Sequence, residues 1–316
     1  MFESKSAGNL FLFGEHAVVY GKPAVITSVD LRTKCSLEKK DSGISINSKE
    51  LGTAEEINGE KTGNPDLFIL LDFCRELLFK FEMTSGLNIY IESEIPVASG
   101  MSSSTAVLCS ILSAFSKEFN LSIEKKDYYN LIIESQKKIH GGKASGSEII
   151  SSSIGGFNYL SFKDGKLNIV ELDKLPIDVV IGDTGISMKT STTVGGYIPN
   201  LMKEKPEFVK NAFDRIEEIC NRGVEAIKRK DFALIGQLIN ENQNVLFSLG
   251  LSHPKIDLAV KNALLAGAYG AKLSGKGQGG IMFAITDKEH KEKVALAIED
   301  SGLKVIKTKI GTEGLI

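Results

Sequence analysis

From residue 87 to residue 92 the chain alternates apolar and polar positions. Leu87, Ile89 and Ile91 interleave with Asn88, Tyr90 and Glu92. A period of two predicts a strand with one buried face. Two apolar runs, 9–13 (NLFLF) and 24–29 (AVITSV), read as short strands on either side of the turn-rich YGKP at 20–23. The stretch IPVASGMSSSTAVLCSILSAF at 95–115 changes character twice, from a strand end to a Gly/Ser loop and then to an apolar helix. Asp164-Gly165, between FNYLSF and KLNIVEL, is a hairpin signal. The second half is richer in helical periods. Pro206 opens a helix whose apolar positions include Phe208, Ile216, Ile219 and Val224, and further helices cover 232–247 and 255–266. The end runs through a Gly-rich loop, the strand IMFAIT, a helix begun by Asp287 and the strand LKVIKTKI.

Strands and helices mix without strict alternation, which predicts an α+β protein with mixed sheets rather than a doubly wound one. The Gly/Ser/Thr-rich stretch at 182–199 is where a division falls, giving domains 1–185 and 186–316. Composition narrows the class. The chain has 316 residues, 42% of them apolar, enough for a sizeable core. A net charge of -2 argues against a nucleic-acid partner, whose footprint is a basic excess. Cys35, Cys74, Cys109 and Cys220 form no CxxC pair, so neither a zinc site nor a disulfide framework is expected. The first residues lack the pattern of a signal peptide, and no run of about 18 apolar residues predicts a membrane span. A cytoplasmic protein is expected.

Candidate chemistry concentrates in two loops. In PVASGMSSSTA at 96–106, a small-residue loop opens a helix. The free N–H groups of a first helical turn converge there, and the helix dipole adds partial positive charge. Gly100 and the serines allow close approach of phosphate oxygens, and Ser103 or Ser104 can offer a hydroxyl to magnesium. The loop lacks the GxxxxGK[ST] pattern of a Walker loop. The same residues also read as a Ser-rich cap before a core helix. A second cluster, KLSGKGQGG at 272–280, packs four glycines into six residues, either to bring backbone near a ligand or simply to turn the chain.

Together with LFGEHAVVYGKPA at 12–24, these loops resemble, in order, the three motifs of the GHMP kinases (galactokinase, homoserine kinase, mevalonate kinase, phosphomevalonate kinase). The first motif looks like its mevalonate-kinase version. The second resembles PxGxGLGSSAA and the third KxTGAGGGG. HGGKASGSE at 140–148, followed by Gly155-Gly156, is similar to the segment HGxPSGxD…GG, and IGDTG at 181–185 with Thr190 and Val194 also looks like this branch. The resemblance implies a two-lobed GHMP-kinase-like fold with ATP and substrate in the cleft between lobes. It implies ATP and Mg2+ as cofactors, and mevalonate or a related hydroxy acid as substrate. Pro96, Gly100, Ser102, Ser103, Ser104, Thr105, Gly275 and Gly277 would hold the nucleotide; Glu15, His16 and Thr190 would face the substrate. Family members are often dimers, so a homodimer is compatible with the resemblance.

Three charged positions of the family pattern are altered. The first-motif lysine falls on Asn9. The glutamate that helps hold magnesium falls on Gln136, so the metal candidates become Ser104 and Gln136. The catalytic aspartate falls on Glu148 if one residue is inserted in HGGKA, or on Ser147 if not. Lys143 is a candidate to restore the missing positive charge, and also reads as a solvated loop lysine. Lys189 and Lys272 can attract a substrate carboxylate, or be ordinary solvated lysines. The leading expectation is phosphorylation of mevalonate at its 5-hydroxyl with Glu148 as base and Lys143 beside it. The alternatives are a kinase of changed regiochemistry or substrate, and a non-catalytic binder of nucleotide or isoprenoid intermediates.

Overall fold

The computed structural model describes residues 1–96, 100–142, 144–163, 166–186 and 196–316. The expected strands at 9–13 and 24–29 are the ends of much longer ones: β1 (Phe2–Phe13) runs antiparallel to the 17-residue β2 (Ala24–Lys40). The polar half of β1 does not look like strand in sequence because serines occupy its inner face. Ser4 and Ser6 are buried, and the Ser6 hydroxyl donates to the Ser152 carbonyl. A small meander follows, β3 (Ile44–Ser48), β4 (Gly52–Ile57) and β5 (Glu60–Gly63), then α1 (Phe68–Lys80) and β6 (Gly86–Ser93). β6 stops before Pro96, so the expected strand end in IPV is not part of it.

The Ser-rich loop leads into α2 (Ser103–Glu118), followed by α3 (Tyr128–Ile139) and α4 (Ser147–Ile154). β7 (Phe157–Lys163) and β8 (Lys166–Glu171) pair antiparallel as expected, although Asp164-Gly165 itself lies outside the described residues. After β9 (Ile177–Asp183) come α5 (Ile198–Glu204), α6 (Pro206–Arg229), α7 (Phe232–Ser248) and α8 (Pro254–Leu265). The chain closes with β10 (Gly270–Ser274), β11 (Ile281–Ile285), α9 (Lys291–Glu299) and β12 (Lys304–Ile310). Two local expectations are corrected. Phe208 is 41% exposed, because the buried stripe of α6 runs through Val209, Ala212, Phe213, Ile216 and Cys220 and leaves Phe208 off it. Asp287 does not begin α9; its carboxylate accepts the His290 N–H in the turn before that helix.

One mixed sheet orders its strands β10-β11-β9-β12-β2-β6-β3-β4-β5, with β1 and β7 also pairing with β2. Two cores flank it. The first joins Leu10, Leu12 and Phe13 of β1, Val25 and Val29 of β2 and the inner faces of β9 to β11 with α6 to α9. The second joins Cys35 and Leu37 of β2, Ile89 of β6 and helices α1 to α3. Close packing of the first is visible at Gly223 on α6, where an added Cβ would collide with the Phe13 ring. Among the described residues no helix is long and apolar enough to cross a membrane.

Candidate active site

β1 delivers the first site residues. Its apolar end, Leu12 and Phe13, is anchored in the core, and Gly14 then turns at φ +98°, where any side chain would collide with Ala24. The turn aims Glu15 and His16 into a cavity of about 960 Å³ that also takes in the mouth of α2, the end of α3 and the start of α4. Glu15 is 2% exposed and pairs with Lys272 of β10, itself fully buried. Lys272 is therefore not a solvated lysine. Its ammonium also donates to the Leu273 carbonyl at 2.8 Å. Burial pushes the Glu15 carboxyl up and the Lys272 ammonium down, and each is the other's main opposing influence. Burial, reinforced by Lys272, lowers His16 to about 4, so the ring is neutral near pH 7. Among the described residues Glu15 Oε2 finds no hydrogen-bond partner, while the His16 ring lies against the backbone of Gly275 and Lys276, which opposes the lowering. A buried carboxylate oxygen without a partner, on a residue that lines a cavity, is a candidate to receive a ligand's hydroxyl group.

The second wall is the entry to α2. Gly100, Ser102, Ser103 and Ser104 line the cavity, as does Gly275 of the β10–β11 loop. The two loops touch: a Cβ on Gly275 would stand 3.4 Å from the Gly100 carbonyl. Ser102 precedes α2 in the left-handed region at φ 57°, and the first-turn N–H groups open toward the cavity as a place for phosphate oxygens. Pro96, Thr105 and Gly277 were expected to share this role, but they do not line the cavity. Gly277 backs onto Leu251, and Thr105 is fully buried with its hydroxyl turned to a different task.

That task is holding Glu148. The Thr105 hydroxyl donates to Glu148 Oε2 at 3.2 Å, and Gln136 Nε2 donates to the same oxygen at 2.6 Å and to Thr105 Oγ1 at 3.0 Å. Gly146, at φ 76° against the Tyr129 ring, starts α4 so that Glu148 in the first turn reaches the cavity, while Ser147 is buried and does not line it. His140 Nε2 stands 3.8 Å from the same carboxylate. Asn9 ties the group together from β1. Its Nδ2 donates to the Glu148 carbonyl at 3.3 Å and to Ser152 Oγ at 3.1 Å, and its Oδ1 accepts the Ser102 hydroxyl at 2.8 Å. The neutral Asn9 thus acts as a brace between α2 and α4. Lys143, Thr190 and Lys189 lie outside the described residues.

Among the described residues no cluster of three His, Cys, Asp or Glu side chains is arranged to hold a metal. Magnesium bound between phosphates needs less from the protein, since it keeps several waters and takes one or two oxygen ligands. Buried Gln136 Oε1 has no partner and Ser104 lines the cavity, so two neutral oxygens of the right hardness are present. Sequence reasoning missed Lys276 and His140 as cavity residues, although both stand inside motifs it quoted. It also missed an apolar wall that includes Val18, Leu67, Leu70 and Val107, whose members are scattered along the chain.

Comparison with known proteins adds an independent line. The description GHMP kinases N terminal domain matches residues 69–156, and GHMP kinases C terminal matches residues 224–303. A mevalonate kinase of Pyrococcus abyssi is 32% identical over 329 aligned positions, covering 99% of this chain and 96% of the relative. The chain belongs to the GHMP kinase family. The N-terminal match of this GHMP kinase spans Gly100 to Ser104, Gln136 and Glu148, and the C-terminal match spans the loop from Lys272 to Gly280. Solved structures agree on the fold. A mevalonate kinase of L. major in complex with R-mevalonate superposes with a TM-score of 0.83 at 20% identity, covering 98% of this chain and 96% of that one. The Methanococcus jannaschii mevalonate kinase gives 0.82 at 22% identity, covering 98% of each chain.

Proposed function

We propose that the chain is an ATP-dependent mevalonate kinase that phosphorylates the 5-hydroxyl of mevalonate. One observation carries the reading: a carboxylate, Glu148, is held by neutral donors within the cavity that the mouth of α2 opens into. Mevalonate as the substrate rests on the similarity to mevalonate kinases along nearly the whole chain.

The chemistry follows from the positions. The triphosphate of ATP lies at the first turn of α2, where main-chain N–H groups and the serine hydroxyls receive its oxygens. The substrate hydroxyl oxygen forms a bond to the γ-phosphorus while the bond to the ADP oxygen breaks. The hydroxyl proton passes to the Glu148 carboxylate. Because phosphoryl transfer is loose, orientation contributes more than basicity, and that orientation is the work of Gln136, Thr105 and Asn9. Gln136 Oε1 and Ser104 would hold magnesium, which supplies charge neutralisation across the phosphates when bound. Glu15 and His16 line the cavity and face the hydroxy acid. We place the protein in the cytoplasm, where its four free, buried thiols remain reduced.

The test is an ADP-release assay with (R)-mevalonate, followed by phosphorus NMR of the product. Turnover with phosphate on the 5-oxygen is expected. Phosphate on the 3-oxygen would establish the changed regiochemistry for which the neutral Asn9 and Gln136 leave room. Nucleotide binding without turnover would establish a binder and overturn the kinase reading.

A further inference from the structure

α4 carries Glu148 in its first turn, yet its own sequence is a poor helix. It has eight residues, SEIISSSI, and its serines compete with the helix for backbone hydrogen bonds. Its position must therefore come from what holds it at each end. At the front, Asn9 Nδ2 donates to the Glu148 carbonyl at 3.3 Å. At the back the holder is the segment 312–316, which the proposed chemistry does not use.

The contacts there are main chain against main chain. The Leu315 N–H donates to the Ser153 carbonyl at 3.1 Å, satisfying one of the last-turn carbonyls that a helix leaves open. The Gly156 N–H donates to the Thr312 carbonyl at 2.7 Å. Gly155, at φ +84°, and Gly314 touch directly. A Cβ on Gly155 would stand 2.1 Å from the Gly314 nitrogen, and one on Gly314 would stand 2.6 Å from the Ser153 oxygen. The Leu315 side chain is buried in the second core, to which Ile149, the neighbour of Glu148, also belongs.

The segment is in turn tied to β1, β2 and the entry to α3. Lys5 and Ile316 exchange two backbone hydrogen bonds at 3.0 Å each. The Ser28 hydroxyl donates to the Thr312 carbonyl at 2.6 Å, the Lys125 ammonium to the Leu315 carbonyl at 3.1 Å and the Arg32 guanidinium to the Gly314 carbonyl. Lys174 pairs with Glu313 at 2.6 Å. The segment is thus a strap that joins the back of α4 to the sheet, as Asn9 joins its front. From Ser153 to Glu148 is roughly 7.5 Å along a helix axis, so a shift at the strap reaches the carboxylate through a short rigid piece.

We propose that Leu315 and Gly314 are positioning residues of this chain, through which the strap fixes the back of α4 and thereby the place of the Glu148 carboxylate in the cavity. The proposal rests on the kinase reading above and adds what sets the base against the phosphoryl group.

The experiment reads helix mobility and turnover on one set of variants: wild type, Leu315→Ala, Leu315→Met, Gly314→Ala, Lys125→Met and, as a truncation on α1 in the same core, Leu77→Ala. Hydrogen–deuterium exchange is followed on peptides covering 147–154 and 103–118. The kcat and the KM for ATP are measured with (R)-mevalonate at a temperature where melting curves show the variants folded. Leu315→Ala and Gly314→Ala are expected to speed exchange in 147–154 at least about tenfold and to leave 103–118 as in wild type. They are expected to lower kcat about 10- to 100-fold, with KM for ATP within about threefold. Leu315→Met, close in volume, is expected to keep at least about half of kcat. Lys125→Met removes only the donor to the Leu315 carbonyl and is expected to lower kcat about threefold, which keeps the test open should Gly314→Ala fail to fold. Leu77→Ala is expected to lower the melting temperature and to leave kcat and exchange in 147–154 unchanged. In an active wild type, unchanged exchange of 147–154 in Leu315→Ala would overturn the proposal alone. So would faster exchange there with wild-type kcat, or a loss of kcat in Leu77→Ala as large as that in Leu315→Ala. A wild-type protein that binds ATP without turning over mevalonate would overturn the kinase reading and, with it, the role given to the strap.

Discussion

Two carboxylates face the same cavity and are treated in opposite ways. Glu15 is 2% exposed, and its partner Lys272 is fully buried and 257 residues away in the chain. Glu148 keeps 20% of its side chain in contact with solvent and is held by the neutral groups of Gln136 and Thr105. A pair of acid and base buried together is costly to break, so it suits a fixed wall of the site. A carboxylate held by neutral hydrogen bonds at an open edge is accessible to a bound substrate. On that difference we propose scaffold and recognition for Glu15 and proton transfer for Glu148.

The comparison breaks most directly at Glu148. Glu148→Gln preserves the hydrogen-bonding shape and is expected to lower kcat by about 10²- to 10⁴-fold with an unchanged melting temperature. A rate near wild type in the coupled assay would remove Glu148 from its role. Next comes Lys272→Met, which leaves the Glu15 carboxylate buried without its cation. A loss of about 3–5 kcal/mol is expected in denaturant titration, with much of it recovered when Glu15→Gln is added. If the double variant were no better than the single one, the pair would not be the reason for the cost.

His16 sharpens the contrast through pH. The unfolded imidazole takes a proton near its ordinary 6.5, whereas the folded one resists protonation down to about 4. Between those values the unfolded state binds more protons, so stability is present above about pH 6.5 and is lost as pH falls toward 4. The shift corresponds to about 3 kcal/mol, and His16→Asn, which tolerates the φ of 62° found there, is expected to remove that part of the acid limb. Chemical denaturation at a series of pH values reads it directly. The smallest effect belongs to Lys22, which bridges Asp214 and Glu217 at 2.6 Å each with all three side chains partly wet. Lys22→Ala is expected to cost less than about 1 kcal/mol, and less still in high salt.

The sequence makes the second of these regions more legible than the first. Gly100 to Ser104, Gln136 and Glu148 lie in short motifs whose spacing is set by one helix turn or one loop, so local reading finds them. The insertion that makes Glu148 rather than Ser147 the cavity residue is visible as an ambiguity and is resolved only by the direction of the first turn of α4. Lys272 reads as a solvated lysine because nothing near it in the chain reveals its partner on β1. Thr105 looks like part of the phosphate loop because its inward rotation depends on α3 and α4. The first half of β1 is hidden by buried serines, of which Ser6 donates to the distant Ser152 carbonyl. Pattern detects what neighbours in the chain decide and is blind where the sheet decides.

β2 contributes Val25 and Val29 to one core and Cys35 and Leu37 to the other. Its 17 residues extend about 55 Å, so one continuous ribbon serves as the spine of both lobes. Neither lobe can melt without stripping partners from that ribbon, and heat or denaturant therefore meets a single cooperative body.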